Sequence, residues 1–297
     1  VNLDMVRTLS FARDGKTWPH RDASRFVRSG HIVWHVQDQG PPAAPVCLMI
    51  HGTGAASHSF RGLIPFFSQD HRVLVPDLPG HGFTTGARRR DLALPGMSRA
   101  LGGLLRTLET KPDIVIGHSA GAALLLQAVL DGHLAPRLVF GLNSALEAIP
   151  GNAFLSPLAK VLFFNPWTAN TVAMQARIGG LVQRLLKATG SQLDDEGKAC
   201  YALLVSNPAH VKGALGMMAG WDLDPLVNRL GEIRVPVNLI AAADDPMVPA
   251  RVSRSAARFL PGGRSSIVET GGHLLHEIAP GRIAGLVRED LARFQAG

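Results

Sequence analysis

Three kinds of residue in this sequence could make a nucleophile, a base and an acid, and each stands at the end of a short apolar run. Gly117-His118-Ser119-Ala120-Gly121 follows the run Asp113–Ile116 and opens the apolar stretch Ala120–Leu130. Gly-x-Ser-x-Gly between a strand and a helix is the setting of a nucleophile elbow. The turn is tight, so only small residues fit two positions before and after the serine, here Gly117 and Gly121. Such a turn pushes Ser119 Oγ out at the carboxyl end of a sheet. The N-terminus of the following helix adds a positive dipole end and free N–H groups.

A serine hydroxyl needs a base to take its proton. The chain has 12 histidines, and His273 is the preferred base. It follows Gly271-Gly272, whose backbone freedom brings an imidazole in close, on a loop after the strand-like run ending at Val268. His276 is the alternative, within a helix-like stretch, and His118 reads as a packing residue. The acid that fixes the imidazole tautomer belongs between serine and histidine, at a strand end. The run Val235–Ala243 ends in Asp244-Asp245-Pro246. Either aspartate could serve. Asp245 is favoured because the following proline restricts it to extended geometry. Acyl transfer also needs donors for an oxyanion. The loop His51-Gly52-Thr53-Gly54 follows the run Pro45–Ile50, so the N–H groups of Thr53 and Ala120 are the expected pair. No His/Cys/Asp/Glu cluster has metal-ligand spacing, no P-loop or dinucleotide fingerprint is present, and no cofactor is implied.

These residues need a frame. Short continuous apolar runs are what strands covered on both faces look like. They occur at Pro45–Ile50, Arg72–Val75, Asp113–Ile116, Arg137–Leu142, Val235–Ala243 and Ser266–Val268, after a hairpin of Ser24–Ser29 and His31–Gln37. Helical patterns at Ser98–Thr107, Ala120–Leu130 and Arg251–Phe259 alternate with them. The alternation predicts an α/β fold, a mostly parallel sheet with helices on both faces. It breaks at 146–230, where Ser156-Pro157 starts a helix and further patterns cover Thr171–Ala188, Leu193–Val205 and Pro208–Ala219. The expected organisation is a core of 1–145, with 1–23 an N-terminal arm, a helical lid of 146–230, and a second core segment of 231–297. The lid is rich in Phe154, Leu158, Phe163, Phe164, Trp167, Met174, Met217, Met218 and Trp221. An apolar face turned toward Ser119 would suit a long acyl chain or a planar macrocycle. The same residues could equally be the lid's own core and its seam with the sheet.

Composition excludes several classes. The 297 residues are 46% hydrophobic and 18% charged, which rules out intrinsic disorder. No apolar run approaches the roughly 18 residues of a membrane span. The opening residues VNLDMVRTLSFARDG lack an apolar h-region, so no secretory signal is expected and the cytoplasm is the expected compartment. Cys47 and Cys200 cannot build a disulfide framework. The net charge of +7 comes mainly from arginines scattered along the chain, with one dense run at Arg88-Arg89-Arg90. No nucleic-acid-binding signature accompanies them. They read as a solvated surface, with weak attraction to anionic membrane surfaces or acidic substrates as the alternative.

The ordered set HGTG (51–54), DLPGHG (77–82), GHSAG (117–121), AADDPMVP (242–249) and GGH (271–273) resembles the α/β-hydrolase family across residues 24–297. The resemblance implies a Ser-His-Asp serine hydrolase acting on an ester or related acyl bond. Cofactor-free perhydrolases and haloperoxidases use the same triad. The serine argues against the branches with an aspartate nucleophile. The family's alternative acid position, after Arg137–Leu142, holds Asn143 and Ser144. Further stretches, WPHRDASRFV (18–27), HGTGAASHSF (51–60), LPGMSRAL (94–101) and GWDLDPL (220–226), resemble one subgroup, the magnesium-chelatase accessory proteins of bacteriochlorophyll biosynthesis. That likeness implies a tetrapyrrole as candidate apolar substrate and magnesium chelatase subunits as partners. A non-hydrolytic tetrapyrrole-binding role is the alternative.

Overall fold

Runs with no polar face become the middle of a sheet. A computed structural model describes residues 8–147, 165 and 167–296. Its strands are β1 (Ser24–Ser29), β2 (Ile32–Gln39), β3 (Val46–Ile50), β4 (Arg72–Pro76), β5 (Ile114–His118), β6 (Leu138–Leu142), β7 (Val237–Ala242) and β8 (Gly263–Val268). They form one sheet in the order β1-β2-β4-β3-β5-β6-β7-β8. Strands β3 to β8 run parallel to one another, and β2 is antiparallel to both β1 and β4. Every residue of β5, β6 and β7 is buried. The edge strand β1 instead mixes exposed and half-buried positions. It turns into β2 through Gly30 at φ 60°, a left-handed conformation that suits glycine in a two-residue hairpin turn.

Alternate residues of the strands feed two cores, as the two-residue period requires. Leu48, Ile50, Val115 and Leu239 pack with α1 (Leu94–Thr107) and α2 (Ala120–Leu130). Cys47, Met49, Ile116 and Phe140 pack on the other face with Phe60, Leu63 and Phe67. Helix α2 is buried from Ala120 to Ala128, which is why its sequence is apolar all round. The fold is therefore the expected α/β sheet with helices on both faces.

Between β6 and β7 the chain builds α3 (Thr168–Ile178), α4 (Leu181–Ala188), α5 (Asp195–Val205) and α6 (Pro208–Gly220). The pattern at Thr171–Ala188 is two helices rather than one. Gly179 leaves the helix in extended conformation at φ −144°, ψ 150°. Two successive glycines there lose too much backbone entropy to continue a helix. Asp194 and Asn207 cap α5 and α6, accepting from Gly197 N and from Ala209 N and His210 N. The expected helix start at Ser156-Pro157, with Phe154, Leu158, Phe163 and Phe164, lies outside the described residues. The remaining apolar residues divide. Met217 and Trp221 are buried, Met218 is half-buried, and Trp167 and Met174 face solvent, so these last two do not line a face toward Ser119.

After β7 come α7 (Ala250–Phe259), then β8 and the C-terminal helix α8 (Pro280–Ala296). Helix α8 seals the second core with Ile283 and Val287. Of the first 23 residues, Leu9 and Trp18 are buried against Ala56, Phe83, Cys200 and Leu204. This segment thus joins the sheet loops to α5.

Candidate active site

The turn from β5 to α2 holds Ser119 at φ 51°, ψ −118°. A residue with a Cβ rarely adopts a positive φ, and holding it there costs on the order of 1–3 kcal/mol. The neighbours enforce it. A Cβ on Gly117 would sit 2.6 Å from Ala122 N, and one on Gly121 would sit 2.3 Å from the Ile50 carbonyl oxygen. The Gly52 loop also packs against the elbow: a Cβ there would lie 3.0 Å from both Ser119 Cβ and His118 Nδ1. Ser119 N donates to Leu142 O at 2.9 Å, tying the elbow to the end of β6. Among the described residues no hydrogen bond joins Ser119 Oγ to His273.

The two aspartates after β7 separate cleanly. Asp245 Oδ2 accepts from His273 Nδ1 at 2.8 Å, and its other oxygen accepts from the N–H groups of Met247 (2.8 Å) and Val248 (3.0 Å). With its proton on Nδ1, the imidazole leaves Nε2 as a free lone pair. Asp244 instead accepts from Gly271 N at 3.1 Å and Gly272 N at 2.9 Å, so it shapes the loop that carries His273. His276 makes no bond to either aspartate. It is buried between Phe60 and His118, ring centroids 5.1 and 4.3 Å away.

More residues hold the His273 loop than sequence patterns single out. Asn143, where the alternative acid would stand, donates through Nδ2 to Gly272 O and His273 O at 2.9 and 2.8 Å. Its Oδ1 accepts from Ala242 N at 2.8 Å. His118 is more than packing, because its Nε2 donates to His273 O at 2.9 Å. From the turn after α4, Thr189 O accepts from His273 N at 2.8 Å. Ser191 Oγ donates to Gly271 O at 2.7 Å and accepts from Leu274 N at 2.9 Å. His118 lies in the elbow motif, Thr189 and Ser191 have no motif around them, and only the vacancy of the second acid position marks Asn143.

The oxyanion candidates lie on the other side of the elbow. Ala120 opens α2, so its N–H has no acceptor within the helix. Thr53 N–H has no acceptor among the described residues. The loop carrying Thr53 is fixed by His51, which donates through Nδ1 to Gly52 O at 2.8 Å and accepts from Leu78 N at 2.9 Å. Helix α6 reaches it from above. His210 Nδ1 accepts from Gly82 N and its Nε2 donates to Gly54 O, each at 3.1 Å. Thr53 Oγ1 lies 3.3 Å from Met217 Sδ.

The family model described as "Alpha/beta hydrolase family" matches residues 47–286. The chain belongs to the α/β-hydrolase family. It is 45% identical over 276 residues to the "Magnesium-chelatase 30 kDa subunit" of Rhodobacter capsulatus, covering 91% of this chain and 95% of its relative. Among solved structures, a thermophilic esterase from Thermogutta terrifontis superposes with a TM-score of 0.68 at 18% identity, over 91% of this chain and 98% of the esterase. A haloalkane dehalogenase loop variant from Bradyrhizobium elkanii gives 0.70 at 18% identity, over 92% and 97%. An esterase and a dehalogenase fit equally well, so these likenesses carry the fold and leave the reaction to the site.

In this α/β hydrolase the ground around the elbow is dense in neutral histidine. Burial lowers the pKa of His51, His58, His81 and His118, that of His210 to about 4 and that of His276 to about 3. Asp77 is the buried counterweight. Burial opposes its charge, yet His35, His51 and the Phe83 N–H hold its pKa low. Its carboxylate accepts from Ser57 N, Phe83 N and His35 Nδ1, which pins the turn after β4. No group of His, Cys, Asp and Glu among the described residues could hold a metal ion.

Proposed function

We propose that this protein is a serine hydrolase that cleaves an ester or related acyl bond. Ser119 is the nucleophile, His273 the base and Asp245 the acid that orients it; the N–H groups of Thr53 and Ala120 receive the oxyanion. The observations that carry this reading are the 2.8 Å Asp245–His273 pair, which leaves Nε2 of the imidazole as the free lone pair, and a serine strained at φ 51° in the elbow. Ser119 Oγ attacks the carbonyl carbon as His273 Nε2 takes its proton. The carbonyl π bond opens to an oxyanion held by the two N–H groups. Collapse breaks the bond to the leaving group, which takes the proton back from His273. Water then attacks the acyl-enzyme by the same route and releases the acid and Ser119. Throughout, Asp245 keeps its charge and stabilises the imidazolium.

Helices α3 to α6 act as a lid in this proposal. Support comes from α6, whose His210 and Met217 meet the Gly52–Gly54 loop, and from the turn after α4, whose Thr189 and Ser191 meet the His273 loop. Met217 and Trp221 on that side are buried in one core cluster with Leu94 and Leu223, at the seam between these helices and the sheet. The test is covalent labelling by a fluorophosphonate. The wild type is expected to label and Ser119→Ala not to. A wild type that neither labels nor cleaves short p-nitrophenyl esters refutes the reading.

The relative named as a magnesium-chelatase subunit supports a second element, a role beside magnesium insertion into a porphyrin, with chelatase subunits as partners and a tetrapyrrole as candidate substrate. That name also favours a non-hydrolytic accessory role. Complementation by Ser119→Ala separates the two: rescue of magnesium-porphyrin formation supports the accessory role, and failure of a folded variant supports catalysis. We place the protein in the cytoplasm. Its two cysteines are free and buried, and no helix among the described residues is long and apolar enough to cross a membrane.

A further inference from the structure

Helix α3 is oriented against the usual rule. Its inward residues are small: Ala173 is buried and Ala176 packs on the cluster around Val182 and Tyr201. Its outward residues are large: Trp167 is 59% exposed, Met174 56% and Ile178 78%. Offsets of seven and eleven residues from Trp167 put Met174 and Ile178 on the same helical stripe. On the neighbouring α4, Leu185 is 40% exposed. Scattered exposed apolar residues are normal, but a helix that turns its large side chains outward marks an interaction surface.

The charge around this stripe says what covers it. The chain carries 23 Asp and Glu, yet none lies between Glu147 and Asp194. The cations in that interval are Lys160, Arg177, Arg184 and Lys187. Arg177, Arg184 and Lys187 are all exposed, and among the described residues none of them has an ion-pair partner. The nearest acids in sequence are engaged elsewhere: Asp194 and Glu196 with Arg61, and Asp195 with Lys198. We propose that the outer face of α3 and α4 docks on an anionic lipid surface, with Trp167, Met174, Ile178 and Leu185 entering the headgroup–acyl boundary and Arg177, Arg184 and Lys187 meeting lipid phosphates. Apolar residues beside unopposed cations are the composition of an interfacial helix. Exposed Arg and Lys alone would bind only at low salt; the apolar stripe supplies the part that salt does not screen. Seated this way, the protein would meet apolar substrates at the membrane surface.

The test uses the full chain and sedimentation with vesicles, either phosphatidylcholine alone or phosphatidylcholine with phosphatidylglycerol. Binding is expected to the anionic vesicles and to be much weaker to the neutral ones. Each cation near such a surface is worth roughly fivefold in partitioning, so Arg177→Gln/Arg184→Gln/Lys187→Gln should lower binding roughly a hundredfold. Tryptophan fluorescence gives a second readout. Trp18, Trp34 and Trp221 are at most 8% exposed, so quenching by brominated anionic lipid should come from Trp167 and vanish in Trp167→Phe. Ser119→Ala should bind vesicles like the wild type, which keeps this inference separate from the hydrolase reading. A wild type that stays in the supernatant, a triple variant that binds unchanged, equal binding to neutral vesicles, or quenching that survives Trp167→Phe each overturns the proposal. Capture of an acidic protein in place of vesicles does so too.

Discussion

Replacing Asp245 by Asn separates the two adjacent carboxylates by function. The Oδ1 side of Asp245 accepts from two backbone N–H groups, Met247 and Val248, at 2.8 and 3.0 Å. An asparagine keeps its oxygen there, because turning the amide would set its NH2 against two donors. Its NH2 therefore faces His273 Nδ1, where Oδ2 now accepts at 2.8 Å. Two donors cannot share that contact. The imidazole must move its proton to Nε2, and in the proposed relay that nitrogen then stops being a base. The wrong tautomer costs about 10⁴-fold in triads of this type, or about 5.4 kcal/mol at 1.36 kcal/mol per tenfold. Because the backbone contacts survive, the melting temperature should hardly move.

The assay need not know the substrate. The second-order rate of fluorophosphonate labelling reads Ser119 directly, with Ser119→Ala as the blank. Asp244→Asn is the control. Among the described residues the Asp244 carboxylate accepts from Gly271 N and Gly272 N, and an asparagine retains one acceptor, so about 1–2 kcal/mol of loop stability is at stake. Its labelling rate should stay within about tenfold of wild type. If Asp245→Asn labels within tenfold of wild type while Asp244→Asn is inactive, the acid assignment is refuted.

Other outcomes follow from packing and charge. Acid should destabilise the protein from near pH 6.5 downward. The folded-state pKa of His210 is about 4, so below 6.5 the unfolded chain gains a proton that the folded chain refuses. At 1.36 kcal/mol per unit, that one group withdraws roughly 3 kcal/mol by pH 4. His51, His58, His81, His118 and His276 act in the same direction. Among the described residues Glu277 opposes them: burial pushes its pKa up to about 7, so its contribution is present at low pH and fades as pH rises toward 7. Thermal melts from pH 7.5 to 5 that show no fall would contradict this, and His210→Gln should flatten the slope. Gly121→Ala should cost roughly 3 kcal/mol or prevent folding, because its Cβ would lie 2.3 Å from Ile50 O; a melt unchanged from wild type would refute that geometry. Ser191→Ala removes both bonds to the His273 loop and should lower stability by about 1–2 kcal/mol and slow labelling, with no change expected in β-sheet content by circular dichroism.

What the sequence made legible was whatever is short in range. The strands at Val46–Ile50 and Ile114–His118 are apolar runs, and the elbow glycines lie within two residues of Ser119. The Gly30 hairpin is equally local. Pro246 favoured Asp245, but which of two adjacent carboxylates turns toward His273 depends on how the chain leaves β7. The double glycine after Ile178 is a visible break inside a helical pattern, yet amphipathic spacing on both sides masks it. In helix α8, Ile283 and Val287 stand at helical spacing, but Pro280 and Gly281 at its start resemble a loop and hide it. Thr189, Ser191 and His210 have no local signal, and Asn143 only the vacancy of the second acid position, because each acts on backbone far along the chain. Ser191 and Gly271, for example, are 80 residues apart.

That long-range set bears on how the site could work. His273 hangs from a loop gripped by Asp244 after β7, Asn143 after β6, His118 at the end of β5, and Thr189 and Ser191 after α4. Four separate segments fix the backbone of one histidine, and Asp245 fixes its ring. Ser119 is held just as firmly at Cα, by a strained φ and by glycines with no room to relax. Its side chain differs, because Oγ turns about a single bond whose wells are separated by small barriers. The one contact that the proposed relay lacks, Oγ to Nε2, is thus the one governed by the free rotor. In unliganded sites such bonds commonly tighten only when substrate arrives. Loosening the loop, as in Ser191→Ala, should therefore slow Ser119 labelling even though no group that touches substrate has changed.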